Sequence, residues 1–342
     1  MMLKLKDIAQ EAGVSISTVS RALSPDTKDK VKSSTKTQID YAIQKLGNES
    51  HQSFISSTKD ELSVGIILAS SNKTFAHEYF AEMLNPLIYE FYKSNCEIKY
   101  VLAQASLSEN MFLDAIQNRT VSGAVIMGRI DMELLKFFKS NIPHLVYTGV
   151  NYVGQNTDEV ICNGYEAIKT LFNHFISIGY ETIGYIGSTG NNSILKNDYQ
   201  RFDSYKASLK NYSMNMNNDF IVHSSDTIAD GHIAMNKMIK RNKLPQAIIC
   251  TSDSIAMGVI NALYNAGISV PNDIAIAGVD NLNLSQFLTP PLTTVNVPKD
   301  ELSRIAINML LDKIRNNRTN NIRVDIPCEL IIRKSCGYIQ KK

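Results

Sequence analysis

Residues 12–23, AGVSISTVSRAL, set short hydroxyl side chains and one guanidinium on successive turns, a combination suited to reading nucleic acid. Hydroxyls reach phosphates or base edges, a forked guanidinium meets both acceptors of guanine, and a branched aliphatic group touches a thymine methyl. At about 100° per residue, Ile16, Ser17, Ser20 and Arg21 fall within about 140° of one helical face, with Ser15 and Thr18 beside them. Val19, Ala22 and Leu23 take the remaining face and are expected inside. Lys6 is available to phosphates, together with Lys4, Lys28, Lys30, Lys32 and Lys36. A second chemical candidate, Asp280, ends the apolar run IAIAGVD (274–280), where open α/β sheets present ligands at the carboxyl ends of their strands.

The first set needs two crossing helices to hold it. Leu5–Ala12 makes a first helix, Gly13 allows the left-handed geometry that ends it, and Ser15 or Ser17 can cap the next. Ala9 is small enough for close approach, Val14 and Val19 fill the space between, and a third helix is expected at about 32–46. On spacing alone, capped surface helices joined by a glycine turn remain an equal reading. Charge adds little: residues 1–46 hold eight basic and five acidic side chains. With a formal net charge of +2 over 342 residues, DNA binding must come from a local surface.

Residues 48–61, NESHQSFISSTKDE, are polar and read as a linker. From Leu62 onward the texture changes to apolar strands at 63–69, 97–103, 123–128, 144–149, 183–187, 247–251 and 274–280. Helical patterns separate them, as at 80–93, 164–178, 201–211, 231–241 and 254–267. Continuous apolar strands alternating with helices predict parallel sheets covered on both faces. About 280 residues of that pattern exceed one comfortable core, so two similar α/β subdomains are expected.

Several function classes are excluded or weakened. Five scattered cysteines, an odd number without CxxC spacing, fit neither a disulfide framework nor a zinc site, and no cofactor is implied. No apolar leader is evident and no apolar run is long enough for a membrane, so a reducing, cytoplasmic compartment is expected. For an enzyme, GxxxxGK, GxSxG and HExxH are all missing; SSTK (33–36) matches Ser-x-x-Lys only formally, and Gly187 and Gly190 make a weak phosphate loop. An exported solute-binding protein would need a leader where the helix–turn–helix pattern stands.

LKDIAQEAGVSISTVSRAL (5–23) resembles the N-terminal signature of the LacI/GalR family of bacterial transcription regulators. A distant stretch, AIICTSDSIAMGVINALYNAGISVPNDIAIAGVDNLNLSQFLTPPLTTV (247–295), resembles the same family, as do 163–187 and RFDSYKASL (201–209). Around FAHEYF and IICTSDSIAMG the likeness leans to maltose-type regulators. The resemblance implies an all-α helix–turn–helix DNA-binding domain (1–47), a hinge (48–61) and a periplasmic-binding-protein-like effector module (62–342). It divides that module into an N-subdomain of about 62–161 plus 292–322 and a C-subdomain of about 162–291 plus 323–342.

The function implied is a homodimeric repressor on a pseudo-palindromic operator, controlled by a small molecule, a sugar in the first place, with no membrane partner. Helix faces at 80–93 and 254–267 are the implied dimer surfaces. Effector-binding candidates carry over as Phe80, Asn163, Arg201, Ser252, Asp253 and Asp280, with Phe75, Tyr79 and Phe287 as weaker aromatic ones. Arg201 has a plain alternative as a helix-start ion pair, and Asp253, Asp280 or Asn281 as helix caps. Ser204 stands where the family favours glycine, and Ser252-Asp253 replaces the more usual Asn-Asp. The hinge departs most: 47–61 lacks proline, arginine and leucine, leaving Phe54 and Ile55 as its apolar residues. Either it forms a hinge helix with other contacts, or this protein depends less on minor-groove bending. In the free protein this segment is expected to be disordered.

Overall fold

The computed structural model describes residues 9–15, 18–19, 31–32, 35–36, 38–39, 42, 62–70, 74–128, 130–154, 156–189 and 200–337. Lys6, Ile16, Ser17, Ser20, Arg21 and the hinge 48–61 lie outside them. The chain divides into two compact units, Met1–Glu61 and Leu62–Lys342.

In the first unit, Ala9, Val19, Ile39 and Ala42 form a small buried cluster, with Ala12 and Val14 packed against it. Gly13 turns the chain at φ +65°, and Val14 N–H donates to the carbonyl of Ala9 at 3.0 Å. Ser15, the expected cap, accepts on its hydroxyl from Thr18 N–H at 3.2 Å and lies 2.8 Å from the Thr18 hydroxyl. Both hydroxyls therefore help start the second helix.

The second unit begins with β1 (Ser63–Ala69), α1 (Glu78–Lys93), β2 (Glu97–Ala103), α2 (Glu109–Gln117), β3 (Gly123–Gly128), α3 (Met132–Asn141), β4 (Leu145–Gly149) and β5 (Asp158–Cys162). It continues with α4 (Gly164–Ser177), β6 (Ile183–Gly187), α5 (Gln200–Asn211), β7 (Ile221–His223), α6 (Ile228–Ile239), β8 (Ala247–Cys250), α7 (Asp253–Asn265), β9 (Ala275–Asp280) and β10 (Thr293–Asn296). It closes with α8 (Lys299–Asn316), β11 (Arg323–Ile326) and β12 (Glu329–Ile331). Two six-stranded sheets result, ordered β11-β5-β4-β3-β1-β2 and β12-β10-β9-β8-β6-β7. Pairing is parallel throughout the first; in the second, β12 runs antiparallel to β10.

Two segments sit on the other side of the expected subdomain boundary. Thr293–Asn296 pairs with Ala277–Asp280 in the second sheet, although 292–322 was expected with the N-subdomain. Arg323–Ile326 pairs with Glu159–Cys162 in the first sheet, although 323–342 was expected with the C-subdomain. Ladder hydrogen bonds decide membership, so the chain crosses just after Asn296 and again between Ile326 and Glu329. Between those crossings α8 packs on β3, β4 and β5 of the first sheet and on α1.

Helix patterning explains the packing. On α1, Tyr79, Phe80, Met83, Leu87 and Phe91 are buried, one stripe at three- and four-residue steps. Each large apolar side chain so buried contributes about 1.5–3 kcal/mol against exposure. Strand β5 has a polar start in Asp158-Glu159, yet both residues are buried. Asp158 pairs with Lys313 at 2.8 Å and Arg318 at 3.0 Å and accepts Ile322 N–H at 2.6 Å. Burial alone would raise its pKa, but those bonds hold the carboxyl below its ordinary value. No helix among the described residues is long and apolar enough to cross a membrane.

Candidate effector cleft

Both sheets aim the carboxyl ends of their strands at one cleft of about 140 Å³. That is room for a small ligand, since one ordered water needs about 10–15 Å³. Its first wall comes from Ser70 after β1, Gly128 of β3 and the run Tyr147–Asn151 at the end of β4. The opposite wall comes from Ser188 after β6, His223–Asp226 around the end of β7, Ser252 after β8 and Asp280 of β9. Arg201 from α5 and His77, Tyr79 and Phe80 from the start of α1 complete it.

Of the six expected effector residues, Phe80, Arg201, Ser252 and Asp280 line this cleft together. The other two do not. Asn163 caps α4, its Oδ1 accepting from Tyr165 N–H at 3.0 Å and Glu166 N–H at 3.4 Å. Asp253 is fully buried beneath the lining: it accepts the hydroxyls of Ser285 (2.5 Å) and Thr294 (2.6 Å) and the N–H of Leu282 (2.9 Å). A carboxylate saturated by three internal donors braces the loop that follows β9. Ser252 caps α7 through Ile255 N–H while also lining the cleft.

Asp280 sits on a strained turn. Its φ is +117° and that of Asn281 is +48°, a region non-glycine residues rarely adopt. Lys299 Nζ donates to the Asp280 carbonyl at 2.8 Å, and Arg333 donates to the Asn281 side chain at 2.7 Å, so outside bonds fix the turn. Burial pushes the Asp280 carboxyl up to about 8, against the pull of Arg201 and Lys299. Arg201 donates through Nη1 to the Thr251 carbonyl at 2.6 Å, while its buried Nε has no hydrogen-bond partner. Gly164 matters here: a Cβ at that position would come within 2.7 Å of Asn151 Oδ1 and 3.1 Å of Arg201 Nε.

Other lining groups share this incompleteness. The Tyr79 hydroxyl, Thr148 Oγ1 and Asn151 Oδ1 are buried and without a hydrogen bond in the free chain. Unpaired buried polar atoms cost about 1–3 kcal/mol each, and these converge on one cleft. Burial also raises the Tyr79 phenol well above its ordinary pKa, so it acts as a neutral donor. The aromatic side is Phe80, 5.4 Å from the His77 ring and 5.3 Å from that of Tyr79. His77, Tyr147, Thr148, Asn151 and Asp226 were not sequence candidates. The strand-end rule that marked Asp280 would have marked Thr148–Asn151, at the end of the predicted strand 144–149. Among the described residues no three His, Cys, Asp or Glu side chains are grouped to hold a metal ion.

Comparison with known proteins gives this cleft its setting. The profile "Bacterial regulatory proteins, lacI family" matches residues 4–48, and "Periplasmic binding protein-like domain" matches 172–336. The HTH-type transcriptional repressor PurR of Haemophilus influenzae is 30% identical, covering 99% of this chain and 100% of its own. The chain belongs to the LacI family. This LacI-family chain is thus a DNA-binding transcription regulator that carries both a DNA-binding domain and an effector module. The HTH-type transcriptional repressor MelR of Bacillus subtilis is 27% identical over 100% of this chain and 99% of its own. Among solved structures, a transcriptional regulator CelR–cellobiose complex superimposes with a TM-score of 0.72 at 20% identity, covering 97% of this regulator and 99% of that chain.

Proposed function

We propose that this regulator is a homodimeric, cytoplasmic repressor whose hold on a pseudo-palindromic operator is set by a small carbohydrate in the cleft, with no catalytic role. One observation carries the ligand class: unpaired Tyr79 hydroxyl, Thr148 Oγ1, Asn151 Oδ1 and Arg201 Nε meet beside the Phe80 ring. A sugar presents a rim of hydroxyls and an apolar C–H face, which pairs with both halves of that lining. Asp280, Arg201 and Ser252 are read as hydrogen-bonding residues and Phe80 as the platform; Asn163 and Asp253 support them from outside. On the DNA side, Ile16, Ser17, Ser20 and Arg21 are read as base-contacting residues and Lys6 as a phosphate contact. Ser15 and Thr18, whose hydroxyls help start the second helix, are read as DNA-binding residues as well.

Ligand in the cleft favours one angle between the two walls, and that preference is what operator affinity responds to. A thermal-shift screen of the full-length protein with mono- and disaccharides, purine bases and amino acids tests the reading. A sugar that raises Tm, and loses that effect in Asp280→Ala and Arg201→Ala, is the expected result. A purine base in that role would replace the carbohydrate assignment.

A further inference from the structure

Three segments cross between the two sheets: residues 162–164, 296–299 and 326–329. Two of them carry thiols that face each other. Cys162 Sγ, at the end of β5, lies 2.9 Å from Cys328 Sγ, between β11 and β12. Cys328 Sγ is also 3.4 Å from the Asn163 carbonyl, and Cys162 Sγ is 4.0 Å from that of Asn296, so all three crossings meet at this pair. Both thiols are free; Cys162 is buried and Cys328 half-buried.

The pair is also differentiated. Its shared hydrogen bond, then burial, raises the Cys162 thiol far above its ordinary pKa. Cys328 is lowered, first by the bond from Cys162 and then by the Arg201 guanidinium, with burial working against both. Cys328 is therefore the nucleophile that solvent reaches, and Cys162 the proton-bearing partner behind it. No third metal-binding side chain joins them among the described residues.

We propose that Cys162 and Cys328 are a peroxide-sensitive dithiol that closes into a disulfide across the hinge of the cleft. The Cys328 thiolate attacks one oxygen of hydrogen peroxide, the O–O bond breaks, and hydroxide leaves and takes a proton from solvent. The resulting sulfenic acid is then attacked by Cys162: the S–S bond forms, the S–O bond breaks, and the Cys162 proton departs with the hydroxyl as water. Two thiols are oxidised, one peroxide is reduced and two waters form. The new bond ties the first crossing to the third and restricts the rotation through which the walls open and close. Reduction by a cellular dithiol restores the hinge.

The test treats the full-length protein with hydrogen peroxide, with and without later dithiothreitol. Peptide mass spectrometry should find 162 linked to 328 with the loss of two hydrogens, reversed by dithiothreitol. Amide exchange at 162–166 and 328–332 should slow several-fold with the link, and peroxide should leave it unchanged in Cys328→Ser. Sulfinate or sulfonate at Cys328 without a link, or a link through Cys96, Cys250 or Cys336, overturns the pair. A clean link with unaltered exchange at both segments overturns its role at the hinge. The linkage is read on the wild-type chain, so it stands whether or not the variant folds.

Discussion

His77 Nε2 lies 2.6 Å from the main-chain carbonyl oxygen of Asp226 and joins the two walls of the cleft. A carbonyl only accepts, so Nε2 carries the proton. Ser254 and Glu78, 2.9 Å apart, make a second bond between α1 and the second sheet's side. Replacing His77 by alanine should loosen closure and weaken binding of the sugar found by screening about three- to tenfold, the worth of one such bond. Calorimetry with His77→Ala and His77→Gln checks this. Equal loss in both would mean that shape, not the hydrogen bond, is what matters.

Asp253 predicts a stability effect rather than a ligand effect. Asp253→Ala leaves the hydroxyls of Ser285 and Thr294 and the N–H of Leu282 without their acceptor in a buried place. Urea unfolding should show a loss of about 3 kcal/mol or more, with Asp253→Asn milder. If the alanine variant unfolded like wild type, the bracing role assigned to Asp253 would fall.

Asp280 makes stability depend on pH. Its carboxyl rises from an ordinary 3.8 to about 8, first through burial, so the native chain keeps a proton that the unfolded chain releases. Unfolding free energy therefore falls as pH rises between those two values, and the loss is complete above the higher one. Asp280→Asn removes the titration. Its unfolding free energy should gain on wild type between about pH 5 and about pH 8.5, by an amount on the order of 4 kcal/mol. A pH-independent offset between the two proteins would contradict the shift.

Arg201 and Asp280 should separate the two functions of the chain. Either alanine variant should abolish the response to effector, yet bind operator as wild type does in gel-shift titration. Effector affinity unchanged in both variants would remove the cleft assignment.

Arg21 tests the DNA-binding head. Arg21→Ala should cost about 1–3 kcal/mol at the cognate operator and relax the choice of base at one position in each half-site. A uniform loss over all sequences, with a shallower salt slope, would make it a phosphate contact.

Local patterning was enough to read much of this protein. Apolar runs marked β1, β3, β6 and β9 because a buried parallel strand has little but apolar side chains. Gly13 and Ser15 announced a turn and a cap, which are contacts between near neighbours. Asp280 was legible because strand ends in such sheets face ligands. What stayed hidden depends on partners far along the chain. β5 begins with two acids: Asp158 can be buried because Lys313 and Arg318 return to it more than 150 residues later, while Glu159 accepts the N–H groups of Val153 and Gly154. Asp253 looks like a ligand group in sequence, and the fold alone brings Leu282, Ser285 and Thr294 to occupy it, whereas Asn163 is taken up by its own helix start. The crossings after Asn296 and Ile326 likewise follow from which strand offers a free ladder edge. Sequence by itself determined the elements and the family, since periodicity and motif are local or linear. Tertiary structure decided which polar atoms remain unpaired, because a hydrogen bond depends on what lies about 3 Å away, whatever the separation along the chain.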